Sequence, residues 1–165
     1  MEDTLTIRPI FNEYCRQIID IILPIQQIEF NVPVTLDAQP DLLDIEDFYH
    51  KGGGCFLGAF MGEELIGTIA LINTGNNAGA LRKMFVKKEY RGKELGVAQQ
   101  LLEVLLQFCR DRQIIDVYLG TVEVLKAAHR FYERNGFVLT DIKDFPPYFP
   151  RMMADNRFYH LHLNN

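Results

Sequence analysis

Apolar and polar residues alternate, cluster and recur along this chain in ways that predict its elements in order. Residues 4–8 alternate and are closed by Pro9, the period-two pattern of a strand with one buried face. Residues 11–23 carry a helical pattern that should stop near Pro24. Residues 26–40 hold two prolines and little periodicity, so they read as a loop or an irregular helix. Residues 41–49 predict a short helix with Asp41 as its cap, and Gly52, Gly53 and Gly54 break the chain after it. Strands are expected over 55–60 and 65–72, joined by a turn at Met61, Gly62, Glu63 and Glu64. A second turn over 75–79 leads into a strand over 80–86.

The clearest element follows. Ala98, Leu101, Leu102, Leu105, Phe108 and Cys109 recur at helical spacing, with Gln99, Gln100, Glu103 and Arg110 off that face. A strand rich in β-branched residues over 114–119 comes next, then a helix over 124–134 stopped by Asn135 and Gly136. Residues 137–139 and 157–163 supply the last strands. A hairpin-rich first half followed by strand, helix, strand and helix predicts a mixed α/β fold. At 165 residues the chain suits one domain, residues 1–165.

Charge and cysteine content narrow the picture. A net charge of −5 argues against a nucleic-acid partner, which selects a basic stripe. Cys15, Cys55 and Cys109 are far apart and odd in number, so neither a disulfide framework nor a metal site is expected. The start is acidic and lacks a signal-peptide pattern, and the apolar run at Ile18 and Ile19 is cut by Asp20 and Pro24. The expectation is a cytoplasmic protein with no membrane partner.

The stretch from Leu81 to Ala98 carries the candidate chemistry. A strand runs into a basic turn holding Arg91, Gly92, Lys93 and Gly96, and an amphipathic helix follows. Such a turn presents unpaired backbone N–H groups at the positive end of a helix dipole, which suits a phosphate or pyrophosphate. The alternative is an ordinary strand-to-helix loop with surface lysines. No Gly-Lys-Ser or Gly-Lys-Thr is present, and Gly92 and Gly96 lack the third glycine of a dinucleotide fingerprint.

Val86, Tyr90, Arg91, Gly92, Lys93 and Gly96, in that spacing, resemble motif A of the GNAT acetyltransferases. Ala128, Phe131, Tyr132, Gly136 and Phe137 resemble the family's motif B, at the expected separation and over nearly the whole chain. Two positions depart. Glu94 stands where motif A has its middle glycine, and Leu125 where many relatives carry an asparagine that touches pantetheine.

The resemblance implies a GNAT fold: one mixed, mostly antiparallel central sheet flanked by helices, with a splayed strand pair forming the cofactor cleft. It implies acetyl-CoA as co-substrate, no metal, and an amine of a small molecule or peptide as acceptor. Met84, Phe85 and Val86 would pair with the pantetheine arm. Arg91, Gly92, Lys93, Glu94, Leu95, Gly96 and Val97 would hold the pyrophosphate. Tyr132 would protonate the departing thiolate, unless it is only a packed aromatic. Glu29 is the first candidate for the general base and Asp116 and Glu123 the second, with water or backbone carbonyls as alternatives.

Other features are open. His160 and His162 share one face of a strand, where a plain sheet surface is favoured over a metal pair. The aromatic and proline-rich residues 145–153 read as a rim of the acceptor pocket, a homodimer contact or a packed connection. A coenzyme A-binding module without turnover, and an oligomeric interaction domain, are the competing functional readings.

Overall fold

A computed structural model describes residues 4–92 and 94–164. Strands β1 (Leu5–Pro9), β2 (Cys55–Met61), β3 (Glu64–Gly75), β4 (Ala78–Val86), β5 (Asp116–Thr121), β6 (Val138–Leu139) and β7 (Arg157–His162) form one sheet, ordered β1-β2-β3-β4-β5-β7-β6. Helices α1 (Cys15–Pro24), α2 (Val97–Asp111) and α3 (Lys126–Arg134) flank it. This is the mixed, mostly antiparallel sheet the sequence predicts.

Two apolar layers hold the sheet. α2 buries Leu101, Leu102, Leu105 and Cys109 against Leu57, Ala59, Ile69 and Leu71, and α3 adds Phe131 and Tyr132. On the opposite face α1 buries Ile18, Ile21 and Ile22 against Phe56, Phe60, Leu65 and Ala70. Each such fully buried side chain contributes about 1.5–3 kcal/mol.

Only one neighbouring pair is parallel, and it is short. β4 pairs with β5 at Ala78–Asp116, Gly79–Val117 and Ala80–Tyr118. Beyond Ala80 the strands part, leaving the second half of β4 unpaired on that side among the described residues. A bulge sits in the same half of β4. Thr68 faces Phe85 and Ala70 faces Arg82, so Lys83 and Met84 together oppose Ile69. Lys83 adopts φ +56°, a left-handed conformation uncommon outside glycine. The Thr68 hydroxyl donates to the Lys83 carbonyl at 2.7 Å and satisfies an acceptor the ladder loses there.

α1 stops at Pro24 as the sequence predicts, and the chain continues as the irregular helical turn Ile25–Glu29. One local expectation is revised. Asp41 caps no helix. Residues 41–49 form two short turns, and buried Asp41 accepts the Tyr49 hydroxyl at 2.6 Å.

Candidate active site

The turn after β4 needs glycine at two points. Gly92 has φ +121° and Gly96 φ +62°, and Gly96 immediately precedes α2. No side chain caps α2, so the backbone N–H groups of its first turn are left for another acceptor. The turn and the free edge of β4 form one wall of a trough of about 590 Å³, and α3 forms the other through Ala127, Ala128 and Phe131. Met84, Phe85, Val86, Arg91, Gly92, Gly96 and Val97 are thereby brought together. Glu94 and Leu95 are exposed and lie off the trough wall. Lys93 lies outside the described residues.

A second cavity of about 120 Å³ adjoins the trough. Gln39, Arg82, Lys83, Gly120, Phe149 and Asp155 are among its walls. Ile25, Phe30, Phe85 and Leu125 line both cavities and mark their junction. Residues 145–153 therefore contribute a rim, through Phe149, Pro150 and Met152, and also a packed connection, through Phe145 against Tyr118 and Phe158.

The β4 bulge lets two successive basic residues reach this smaller cavity. Lys83 is 8 % exposed; its Nζ donates to Gln39 Oε1 and lies 3.6 Å from Asp41 Oδ2. Burial pushes the Lys83 ammonium down to about 8, against the pull of Asp41. Arg82 instead touches the Met152 sulfur, and among the described residues it forms no salt bridge with a carboxylate. Asp155 sits over Gly120, where an added Cβ would come within 2.4 Å of its Oδ2. Its carboxylate accepts the Met152 N–H at 3.3 Å. Burial raises the Asp155 carboxyl above its ordinary range, while the Met152 N–H, Arg82, Lys83 and Arg151 pull the other way.

Tyr132 is 5 % exposed and packs edge-on to Phe131 and tilted against Phe137 and Tyr159. Its ring lines neither cavity. Among the described residues every fully occluded polar side-chain atom has a hydrogen-bond partner. The Tyr132 hydroxyl has none, so it retains an accessible edge. Burial, with Asp155 and Tyr159 adding to it, raises its pKa well above that of a free phenol.

The other carboxylates singled out from the sequence are engaged elsewhere. Glu29 forms a two-pronged ion pair with Arg91, whose Nε also donates to the Val86 carbonyl at 2.8 Å. The hydrogen bonds from Arg91 hold the Glu29 carboxyl below its usual range, and Glu29 reaches neither cavity wall. Asp116 hydrogen-bonds His160 and His162, both at 2.8 Å, which makes the histidine pair part of a β5–β7 surface network. Glu123 pairs with Arg157 at 3.5 Å.

The profile of the Acetyltransferase (GNAT) family matches residues 19–137. The chain belongs to the GNAT acetyltransferase family. A solved GNAT-family acetyltransferase from Staphylococcus aureus Mu50 is 39% identical, with a TM-score of 0.94 over 98% of this chain and 100% of that one. The N-acetylaspartate synthetase of Xenopus tropicalis is 38% identical over 99 residues, which is 59% of this chain and 36% of that protein. This GNAT chain thus matches only about a third of the length of that relative. The PaiA N-acetyltransferase of Thermoplasma acidophilum, solved with coenzyme A, shares the fold at 20% identity and TM-score 0.74 over 97% and 99% of the two chains.

Sequence reasoning singled out the wall of the GNAT trough and missed the charged wall of the smaller cavity. Arg82 and Lys83 carried a signal, two adjacent bases inside an otherwise apolar strand. Gln39 and Asp155 carried none, because each lies in an irregular connection.

Proposed function

We propose that the protein transfers the acetyl group of acetyl-CoA to a primary amine by direct attack through a tetrahedral intermediate. The observation that carries this reading is the junction of two cavities beside the parting of β4 from β5, one of about 590 Å³ offered to a cofactor arm and one of about 120 Å³ offered to a small acceptor. The residues present suit the cofactor. The uncapped first turn of α2 offers N–H donors to a pyrophosphate, and Gly92, Gly96 and Ala98 leave room for close approach. The unpaired edge of β4 over Met84, Phe85 and Val86 offers backbone groups to a pantetheine arm.

Acetyl-CoA supplies the activated thioester. The acceptor amine must be neutral, because an ammonium has no lone pair. Its nitrogen forms the new C–N bond, the carbonyl oxygen gains negative charge, and the C–S bond breaks as the intermediate collapses. Tyr132 protonates the leaving thiolate, whose conjugate thiol has a pKa of about 8.5. A phenol with no hydrogen-bond partner among the described residues and with a raised pKa is protonated at neutral pH and free to donate. The N-acetylaspartate synthetase likeness supports including amino acids among the acceptors tried.

The test measures thiol release from acetyl-CoA across amines, amino acids and peptides, beside melting with and without acetyl-CoA. Release with a defined acetylated product is expected, together with a rise in Tm. A Tm rise without release from any acceptor would point instead to a coenzyme A-binding module. No Tm shift at millimolar acetyl-CoA would remove the reading.

A further inference from the structure

The smaller cavity holds opposite charges that, among the described residues, form no ion pair with each other. Arg82 enters from the bulged half of β4 and Asp155 from the connection before β7, and the two form no salt bridge. The neighbouring charges are already matched: Lys83 is held by Gln39 and Asp41, and Asp41 by the Tyr49 hydroxyl as well. Arg151, the other cation felt by Asp155, is exposed and lies over the Phe158 ring. What is left inside is one guanidinium without a carboxylate and one largely desolvated carboxylate without a cation.

Unmatched charges of both signs are costly to desolvate, and a ligand bearing both complements satisfies both at once. A cavity of about 120 Å³ has room for roughly ten water-sized atoms at 10–15 Å³ each, the scale of a free amino acid. We propose that the acceptor is a free amino acid, its carboxylate bound by Arg82 and its amino group by Asp155, a proposal that rests on the acetyltransferase reading above. A guanidinium fork matches a carboxylate through two parallel N–H···O bonds. Asp155 receives the ammonium and takes one proton from it, which frees the nitrogen lone pair. The nitrogen then bonds the thioester carbon; as the intermediate collapses the C–S bond breaks, the thiolate leaves with the Tyr132 proton, and the second N–H proton passes to solvent, from which Tyr132 is reprotonated. Gly120 is required beneath Asp155, because any side chain there would occupy the space of its carboxylate.

The experiment uses the whole chain saturated with coenzyme A, so that binding is read without turnover. The twenty common L-amino acids are titrated singly, each beside its carboxamide and its decarboxylated amine. At least one amino acid should bind, and its carboxamide and amine should bind about 10- to 100-fold more weakly for want of the charge-assisted pair. Arg82→Met should weaken the amino acid by a similar factor while leaving the decarboxylated amine unchanged, and Arg82→Lys should recover part of the loss. Asp155→Asn should lower kcat with the amino acid far more than it changes coenzyme A binding. Binding of carboxamide and amino acid with equal affinity, or no amino-acid binding at all, overturns the proposal even if other amines are acetylated. Amino-acid binding without acetyl transfer leaves the charged site standing and removes the acetyltransferase reading instead.

Discussion

The trough and the smaller cavity meet at four residues, yet they present different kinds of wall. The trough is large and built mostly from backbone, small residues and apolar side chains, with Arg91 and Arg134 also in its wall. The smaller cavity is about a fifth as large and carries its charges inside, on Arg82, Lys83 and Asp155. A wall of peptide groups and alanines recognises shape and the regular spacing of hydrogen-bond partners. It suits a long ligand whose reactive end must always arrive at the same place. A wall of buried charges recognises a particular charge pattern, and each of those charges must be held in position by other residues. The Lys83–Gln39–Asp41–Tyr49 network is that second layer. The difference implies that substitutions in the trough act through cofactor affinity, whereas substitutions around the smaller cavity act on turnover, acceptor choice and stability together.

The largest expected effect is at Tyr132, whose ring lines neither cavity and whose hydroxyl keeps an accessible edge. Tyr132→Phe keeps the ring packed against Phe131, Phe137 and Tyr159 and removes only the hydroxyl. Turnover should fall about 10²–10⁴-fold, the range for loss of a general acid. Because the hydroxyl has no partner, Tm and the affinity for acetyl-CoA should hardly move. Full activity in a stably folded variant would return Tyr132 to a packing role and make water the proton donor.

Arg91→Glu tests the trough alone. It breaks the pair with Glu29, removes the bond to the Val86 carbonyl and places a second carboxylate beside the anion site. Acetyl-CoA affinity should drop about 100-fold by isothermal titration, the worth of a charge-assisted pair lost and a repulsion gained. Acceptor selectivity should stay as it was. A selectivity change would mean that the walls are not separable.

Asp155→Asn tests the smaller cavity through stability. Burial holds the Asp155 carboxyl above its ordinary range in the folded chain. The folded state therefore keeps its proton at pH values where the unfolded chain, near 3.9, has lost it. The parent loses stability on this account as pH rises from about 4 through the folded value, and the penalty is complete above it. The asparagine variant escapes that penalty. It should melt higher than the parent at pH 7, by about 2–4 °C for each kilocalorie gained, with no difference below about pH 3.5. A variant that melts lower at pH 7 would show that Arg82 and Lys83 more than offset the desolvation of Asp155.

The same contrast explains what could be read in advance. The turn after β4 is contiguous in the chain, and its glycines and helix pattern have local physical meanings, so the trough wall was legible apart from Glu94 and Leu95, with Lys93 outside the described residues. The mixed, mostly antiparallel sheet with a splayed strand pair followed from the family resemblance, and the strands and helices from periodicity, whereas the order of the strands across the sheet was not read from the sequence. The smaller cavity gathers Gln39, Arg82, Lys83 and Asp155 from stretches separated by tens of residues. Two of these lie in irregular backbone with no period, and Lys83 reaches the cavity because a non-glycine residue takes φ +56° in a bulge. Pro24 was legible for the opposite reason: its ring and missing N–H act locally, and α1 stops there. Glu29 followed from its neighbourhood in the chain, whereas its side chain turns to Arg91.

The smallest effect is expected at Glu94, where the trough's own motif departs from its family pattern. A carboxylate beside a pyrophosphate would repel it, and replacing it by glycine would then tighten binding. The Glu94 side chain is exposed and off the trough wall, so water and salt lie between it and the anion site. Exposed charges separated by a Debye length, about 8 Å at physiological salt, interact only weakly. Glu94→Gly should therefore change acetyl-CoA affinity by less than about threefold, roughly 0.6 kcal/mol. Because Glu94 lies before the first residue of α2, the usual helix-interior cost of glycine, about 1 kcal/mol, should not appear in full as lost stability. Titration at low and at physiological salt separates the outcomes. A tightening that grows as salt is lowered would place the carboxylate in the field of the pyrophosphate after all. It would also mean that the turn rearranges when the cofactor enters, so that the trough is shaped by its ligand and the preformed cavity is the smaller one.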